Sequence, residues 1–152
     1  MYTLVVVDMQ AKFPKSLDKT VQLNCRRAVA KAIKNRASIV FLEFSNYGPT
    51  LPQLTKLTKD YDKVYHATKS GWDGSAEALK LVKEHGLAGK RFRVCGVYTD
   101  CCVQATLEGL HGAIKDAKIE LIHKACGATS DHTQAGTIQT ARKMPRVRVV
   151  EV

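Results

Sequence analysis

The stretch VVVDMQ (5–10) runs three β-branched residues into one carboxylate. Consecutive apolar, β-branched residues suit a strand buried on both faces. With the residues before it, TLVVVD (3–8) reads as one continuous apolar strand. Packing explains the valines but not the acid at the strand's end. From the residues alone, Asp8 is a loop residue, a cap or a working group.

Outward from this strand, short β-rich runs alternate with longer segments of helical periodicity. Residues 18–36 place Val21, Cys25, Ala28, Val29, Ala32 and Ile33 at helical spacing. SIVFLEF (38–44) is a second buried strand. A polar loop with Gly48, Pro49 and Pro52 follows, with a short helix around 51–58. KVYHA (63–67) is a short strand, and SAEALKLVKEHG (75–86) is a helix that Ser75 caps and Gly86 stops. RFRVCGV (91–97) is the next strand. A helix from Cys102 to Ile114 has Val103, Thr106, Leu107, Leu110 and Ile114 on one face. KIELI (118–122), a helix over 131–143 and an edge strand RVRVVEV (146–152) complete the chain.

Strands alternating with helices predict an α/β fold: a Rossmann-like three-layer sandwich, its six-stranded, mostly parallel sheet carrying helices on both faces. At 152 residues, one domain over 1–152 is expected. In such sheets ligands bind outside the carboxyl ends of the strands. That rule brings Asp8 and residues 96–102 towards one crevice.

VCGVYTDCCVQAT (94–106) is the second informative stretch. A strand, a tight turn and a helix start place Cys101 and Cys102 near a helix N-terminus. There, unpaired N–H groups and the dipole favour a thiolate, and the same N–H groups suit an oxyanion. Two small packing cysteines at a strand–helix junction are the alternative reading.

VVVDMQ, the lysine of HATKSGWDG and GVYTDCCVQAT together resemble the isochorismatase-like cysteine hydrolases, which include nicotinamidases and N-carbamoylsarcosine amidohydrolases. Gly96, Thr99, Asp100, Cys102 and Val103 match that family's G-x-x-T-D-x-C-V motif in register. The resemblance implies Cys102 as nucleophile, Asp8 as general base and acid, and Lys69 as the partner that keeps both charged. It implies an oxyanion hole from the backbone N–H groups of Tyr98 and Cys102, and a cis peptide between Val97 and Tyr98. Cys101 falls on the variable position of the motif. The implied chemistry is attack on a small amide, ureido or carbamoyl carbonyl, with a thioester intermediate that water releases. No cofactor is implied.

The departures narrow the expectation. Nicotinamidases carry an Asp-x-His metal motif after the second strand; here that region reads FLEFSNYGPT, and the five histidines show no ligand spacing. No metal site is expected. Isochorismatase itself cleaves a vinyl ether without a nucleophilic cysteine, so Cys102 points to the amide-cleaving branch. The chain is short for the family between its second and third strands, where the cover of the site is usually built. Phe13, Glu43 and Trp72 are candidate pocket residues, with Asn46 and Tyr47 as alternatives to Glu43 at the end of the second strand, and the family leads us to expect a homo-oligomer, dimer or tetramer.

Composition sets the remaining expectations. Five cysteines with no disulfide-framework spacing suggest free thiols in a reducing, cytoplasmic setting. No apolar run is long enough to cross a membrane, and no signal sequence is visible. The net charge of +10 is spread along the chain, without a basic tail or a nucleic-acid-binding motif, so nucleic acid is not an expected partner. The competing function is a non-catalytic member of the family with a basic interaction surface.

Overall fold

β1 (Thr3–Val7) is buried at every position and lies inside the sheet, between β2 (Ser38–Phe44) and β4 (Arg91–Val97). These features come from a computed structural model that describes all residues Met1–Val152. β3 (Val64–Lys69), β5 (Lys118–Gly127) and β6 (Val147–Val150) complete a sheet of six parallel strands in the order β3-β2-β1-β4-β5-β6. This is the doubly wound order, in which the crevice opens between β1 and β4, where the strand order reverses.

α1 (Lys19–Lys34) packs on one face. Its Cys25 thiol donates to Ala125 O at 3.2 Å. α3 (Ser75–His85), α4 (Gln104–Ala113) and α5 (Asp131–Lys143) pack on the other, and a short helix α2 (Pro52–Thr55) follows the loop after β2. The core is aliphatic, built from both sides of the sheet. No helix is long and apolar enough to cross a membrane.

Several local expectations change. Ser75 does not cap α3; Gly74 is the N-cap residue, and Asp73 Oδ1 accepts from Ser75 N at 2.8 Å. A serine already inside the helix is past the cap position from which a side chain accepts a first-turn N–H, and the carboxylate one position before the cap accepts the Ser75 N–H instead. β3 runs on to Lys69, because Thr68 and Lys69 pair with Glu43 and Phe44. β5 runs on to Gly127; it carries four residues between Leu121 and Cys126 where β4 carries one between Val94 and Gly96, and this irregularity in β5 resets the register, so that Gly96 and Val97 pair with Cys126 and Gly127. The helix expected from Cys102 is preceded by a π-helical turn, Thr99–Val103, and α4 starts only at Gln104.

Candidate active site

Asp8 follows β1 with φ 50, a left-handed conformation that aspartate tolerates better than most residues. Its N–H donates to Leu42 O at 3.0 Å. The carboxylate is 1% exposed, and Oδ2 accepts from Lys69 Nζ at 2.9 Å. Oδ1 is buried and accepts from no protein donor in hydrogen-bonding geometry.

Lys69 ends β3, two strands away from Asp8, and its side chain is fully buried. Nζ also donates to Gly71 O at 2.9 Å and stands 4.4 Å from the centre of the Phe44 ring. A carboxylate, a carbonyl and an aromatic face replace the water that an ammonium group loses on burial.

Gly96 brings the third residue in. At φ 122, a Cβ here would sit 2.0 Å from Val7 O. Only glycine lets β4 come this close to the end of β1. The Val97–Tyr98 peptide that follows is cis, as the family resemblance implied. In the turn beyond it, the N–H groups of Cys101 and Val103 both donate to Tyr98 O, at 3.0 and 3.1 Å, and Cys102 lies between them. Such i→i−5 turns recur at functional sites. The Tyr98 N–H donates to no protein acceptor. Asp100 ties the turn to the β5–α5 loop by accepting from Thr129 N and Oγ1.

Asp8, Lys69 and Cys102 therefore meet at the carboxyl ends of β1, β3 and β4. Burial raises the Asp8 carboxyl above its ordinary value; the charge and hydrogen bond of Lys69, and the Cys102 thiol, pull it back. Burial, followed by the negative charge of Asp8, pushes the Cys102 thiol up to about 12, with Lys69 acting in the other direction. This reverses the thiolate expected from the helix-start position: desolvation and a neighbouring carboxylate outweigh the dipole and the lysine. Burial and Asp8 thus favour the protonated thiol beside the ion pair.

Residues 2–150 match the model of the isochorismatase domain. The chain belongs to the isochorismatase domain family. No curated protein matches its sequence. Among solved structures, this isochorismatase-domain chain is similar to a nicotinamidase from Staphylococcus aureus, with 16% identity, a TM-score of 0.85, and 99% of this chain and 98% of that one covered. It is also similar to an octameric hydrolase of unknown specificity from Escherichia coli, at 17% identity and TM-score 0.81 over 99% and 74% of the two chains. A MAR1 ribonuclease from Caenorhabditis elegans aligns at 16% identity and TM-score 0.80, over 99% and 76%. At these identities the likeness is one of fold.

The candidate pocket residues separate. Phe13 stacks on Tyr47, with centroids 4.6 Å apart, and meets Phe44 and Tyr98 edge-on. Together these rings form an aromatic group beside Lys69. Glu43 does not join it. Side chains alternate along a strand, so Phe44 and its register partner Lys69 share one face of the sheet and Glu43 takes the other. There Glu43 Oε2 accepts from Thr50 N at 2.6 Å, and Oε1 lies 3.2 Å from His66 Nδ1. Trp72 is 61% exposed and stands outside the aromatic group. Where nicotinamidases carry their metal motif, the Glu43–His66 pair has no third donor, and nowhere do three His, Cys, Asp or Glu side chains gather as a metal would need. The donor set does not fit the metal of that branch.

Sequence reading missed Phe44 and Gln10. The register of Lys69 with Phe44 follows from period-two alternation once the third strand is extended by two residues. Gln10 is fully buried; its Nε2 donates to Phe44 O (3.0 Å) and Gly48 O (2.6 Å), and its Oε1 accepts from Phe44 N (2.8 Å). It clamps the loop that carries the aromatic group. A glutamine two residues after a strand-ending aspartate gives no sign of that role.

Proposed function

We propose that this protein is a metal-independent cysteine hydrolase that cleaves the C–N bond of a small amide, ureido or carbamoyl compound through a thioester on Cys102. The observation that carries this reading is the buried Asp8–Lys69 pair set beside the Cys102 thiol, with one carboxylate oxygen left without a donor. Family membership supports hydrolase chemistry, and the nicotinamidase among its structural neighbours supports an amide bond as the target.

With the thiol protonated at rest, Asp8 takes its proton as sulfur attacks the carbonyl carbon, so charge moves to the substrate oxygen rather than resting on sulfur. The free N–H of Tyr98, with that of Cys102, receives the developing oxyanion. Asp8 then passes the proton to the departing nitrogen, and the C–N bond breaks to leave the thioester. Water, deprotonated by Asp8, releases the acid and restores the thiol. Lys69 stays charged throughout and holds the carboxylate ionised and in place. The aromatic group of Phe13, Phe44, Tyr47 and Tyr98 suits a flat, uncharged substrate.

A non-catalytic role gives no account of a fully buried lysine paired with a strand-end carboxylate, an arrangement that costs desolvation and contributes little to stability over an apolar pair. A homo-oligomer belongs to the proposal: Trp72 is an exposed apolar side chain close to the site in sequence, and the Escherichia coli neighbour is octameric. The test is turnover on a panel of small amides, ureas and carbamoyl amines, read by ammonia or amine release. Cys102→Ala should lower the rate by at least about a thousandfold, and Asp8→Asn by about 10²–10⁴-fold. A Cys102→Ala variant as active as the native chain would end the proposal.

A further inference from the structure

A second concavity lies at the other end of the sheet. Arg91 and Lys118 open β4 and β5, so this is the amino end of the strands, whereas Asp8, Lys69 and Cys102 lie at the carboxyl end. Register sets Arg91 beside Lys118, and Glu120 between Arg93 and Arg148. By alternation these side chains share the face opposite Phe92, Ile119, Leu121 and Val147, which are buried. On their own face only α1 packs, and Arg91, Lys118 and Arg148 are left exposed. The result is a cleft of about 330 Å³ bordered by Tyr2 and these charged residues.

The charges in the cleft do not balance. Arg93 is buried and uses up the one acid, with Nε 2.9 Å from Glu120 Oε2, and its guanidinium lies 5.5 Å from the centre of the Tyr2 ring. Arg146 is engaged elsewhere, donating to Ile114 O at 3.4 Å. Arg91, Lys118 and Arg148 have no acid within ion-pair distance. Tyr2 Oη is buried without a partner. Three unpaired cations around one concavity raise the local potential and favour an anion there. Arginine forks match phosphate oxygens two at a time. The volume lies at the small end of the range for ligand sites, roughly 300 Å³ upwards, which suits one small molecule better than a polymer.

We propose that this cleft is a second, non-catalytic site for a small phosphorylated ligand of nucleotide size, its phosphates held by Arg91, Lys118 and Arg148 and its planar part set against the Tyr2–Arg93 pair. It gives part of the chain's positive charge a specific use, independent of the crevice.

The test is calorimetric titration of the full chain with ADP, and separately with inorganic pyrophosphate, at low and moderate salt. We expect one saturable site per chain, tighter for ADP than for pyrophosphate and weakened by salt. The triple variant Arg91→Gln/Lys118→Gln/Arg148→Gln should lose at least tenfold in ADP affinity; its side chains are exposed, and an unchanged circular dichroism spectrum and amide turnover would show the fold intact. Cys102→Ala should bind ADP as the native chain does, which separates this site from the catalytic proposal. No ADP binding at millimolar concentration, equal affinity in the triple variant, or loss of binding in Cys102→Ala would each overturn it. So would oligouridylate binding that strengthens with length while ADP does not bind, since that behaviour belongs to a polymer surface.

Discussion

Lys69→Met removes the Nζ that stands 2.9 Å from Asp8 Oδ2 and keeps most of the side chain's bulk. The two side chains are 0% and 1% exposed, so water does not take the place of the lost ammonium. With an effective dielectric of about 20, Coulomb's law gives roughly 6 kcal/mol at that separation. Relief of the lysine's own desolvation offsets part of this, and one-sided loss of a buried pair usually costs about 3–5 kcal/mol. Urea unfolding followed by circular dichroism should show a midpoint lower by about 1–3 M. The sign of the pH dependence is fixed by Asp8, whose pKa burial raises and Lys69 lowers. Without Lys69 it rises further. A carboxyl raised in the folded state favours folding while protonated: that contribution is full below the unfolded pKa and is lost as pH climbs through the folded one. The variant's deficit should therefore shrink as pH falls from neutral towards the ordinary carboxylate range. Asp8→Asn/Lys69→Met should recover most of the stability and none of the turnover. A deficit under about 1 kcal/mol, the size of an exposed pair, or a deficit that grows on acidification, would refute the reasoning.

Other perturbations separate the parts of the site. Gly96→Ala forces a Cβ to 2.0 Å from Val7 O at a positive φ, so the sheet must part between β1 and β4; we expect a fall in melting temperature together with loss of turnover. Gln10→Ala leaves Phe44 and Gly48 without their clamp and should cost about 1–3 kcal/mol, with the loss in kcat/KM exceeding what unfolding explains. Phe13→Ala removes the ring stacked on Tyr47 and should raise KM by about tenfold, the worth of one aromatic contact, with kcat little changed. Because the Cys102 thiol is pushed up to about 12, its alkylation by iodoacetamide should be slow at neutral pH and still accelerating above pH 9, whereas kcat/KM should fall only on the acid side, as Asp8 is protonated; a rate that levels off near pH 7 would show a resting thiolate.

The sheet was legible because each strand announces itself by composition: VVV and SIVFL suit nothing but double-sided burial, and the intervening helices keep a 3.6-residue period. The ends of elements were less so. Lys69 could be nominated only through the family resemblance, because no local pattern marks its burial; its partner lies 61 positions away. The fifth strand read from sequence stops at Ile122, yet β5 continues through an irregular stretch and regains its pairing with β4 at Cys126. Asp8 and Cys102 could be nominated from the family motif, but the protonation of the thiol could not, since it depends on how much water the folded turn excludes. Glu43 was misassigned for want of one fact, which of two alternating faces looks into the crevice. The basic cleft was invisible for the same reason: Arg91, Lys118 and Arg148 are scattered in sequence, and only register brings them together.

The catalytic proposal rests on a covalent bond to one sulfur. Intact-mass measurement after rapid acid quench of a reacting amide, followed by peptide mapping, tests it most directly. The prediction is a single acyl adduct per chain, carried by Cys102 and absent from Cys102→Ala, with the four other thiols, Cys101 included, unmodified. Turnover with the adduct on another residue, or adducts spread evenly over all five cysteines, would contradict it.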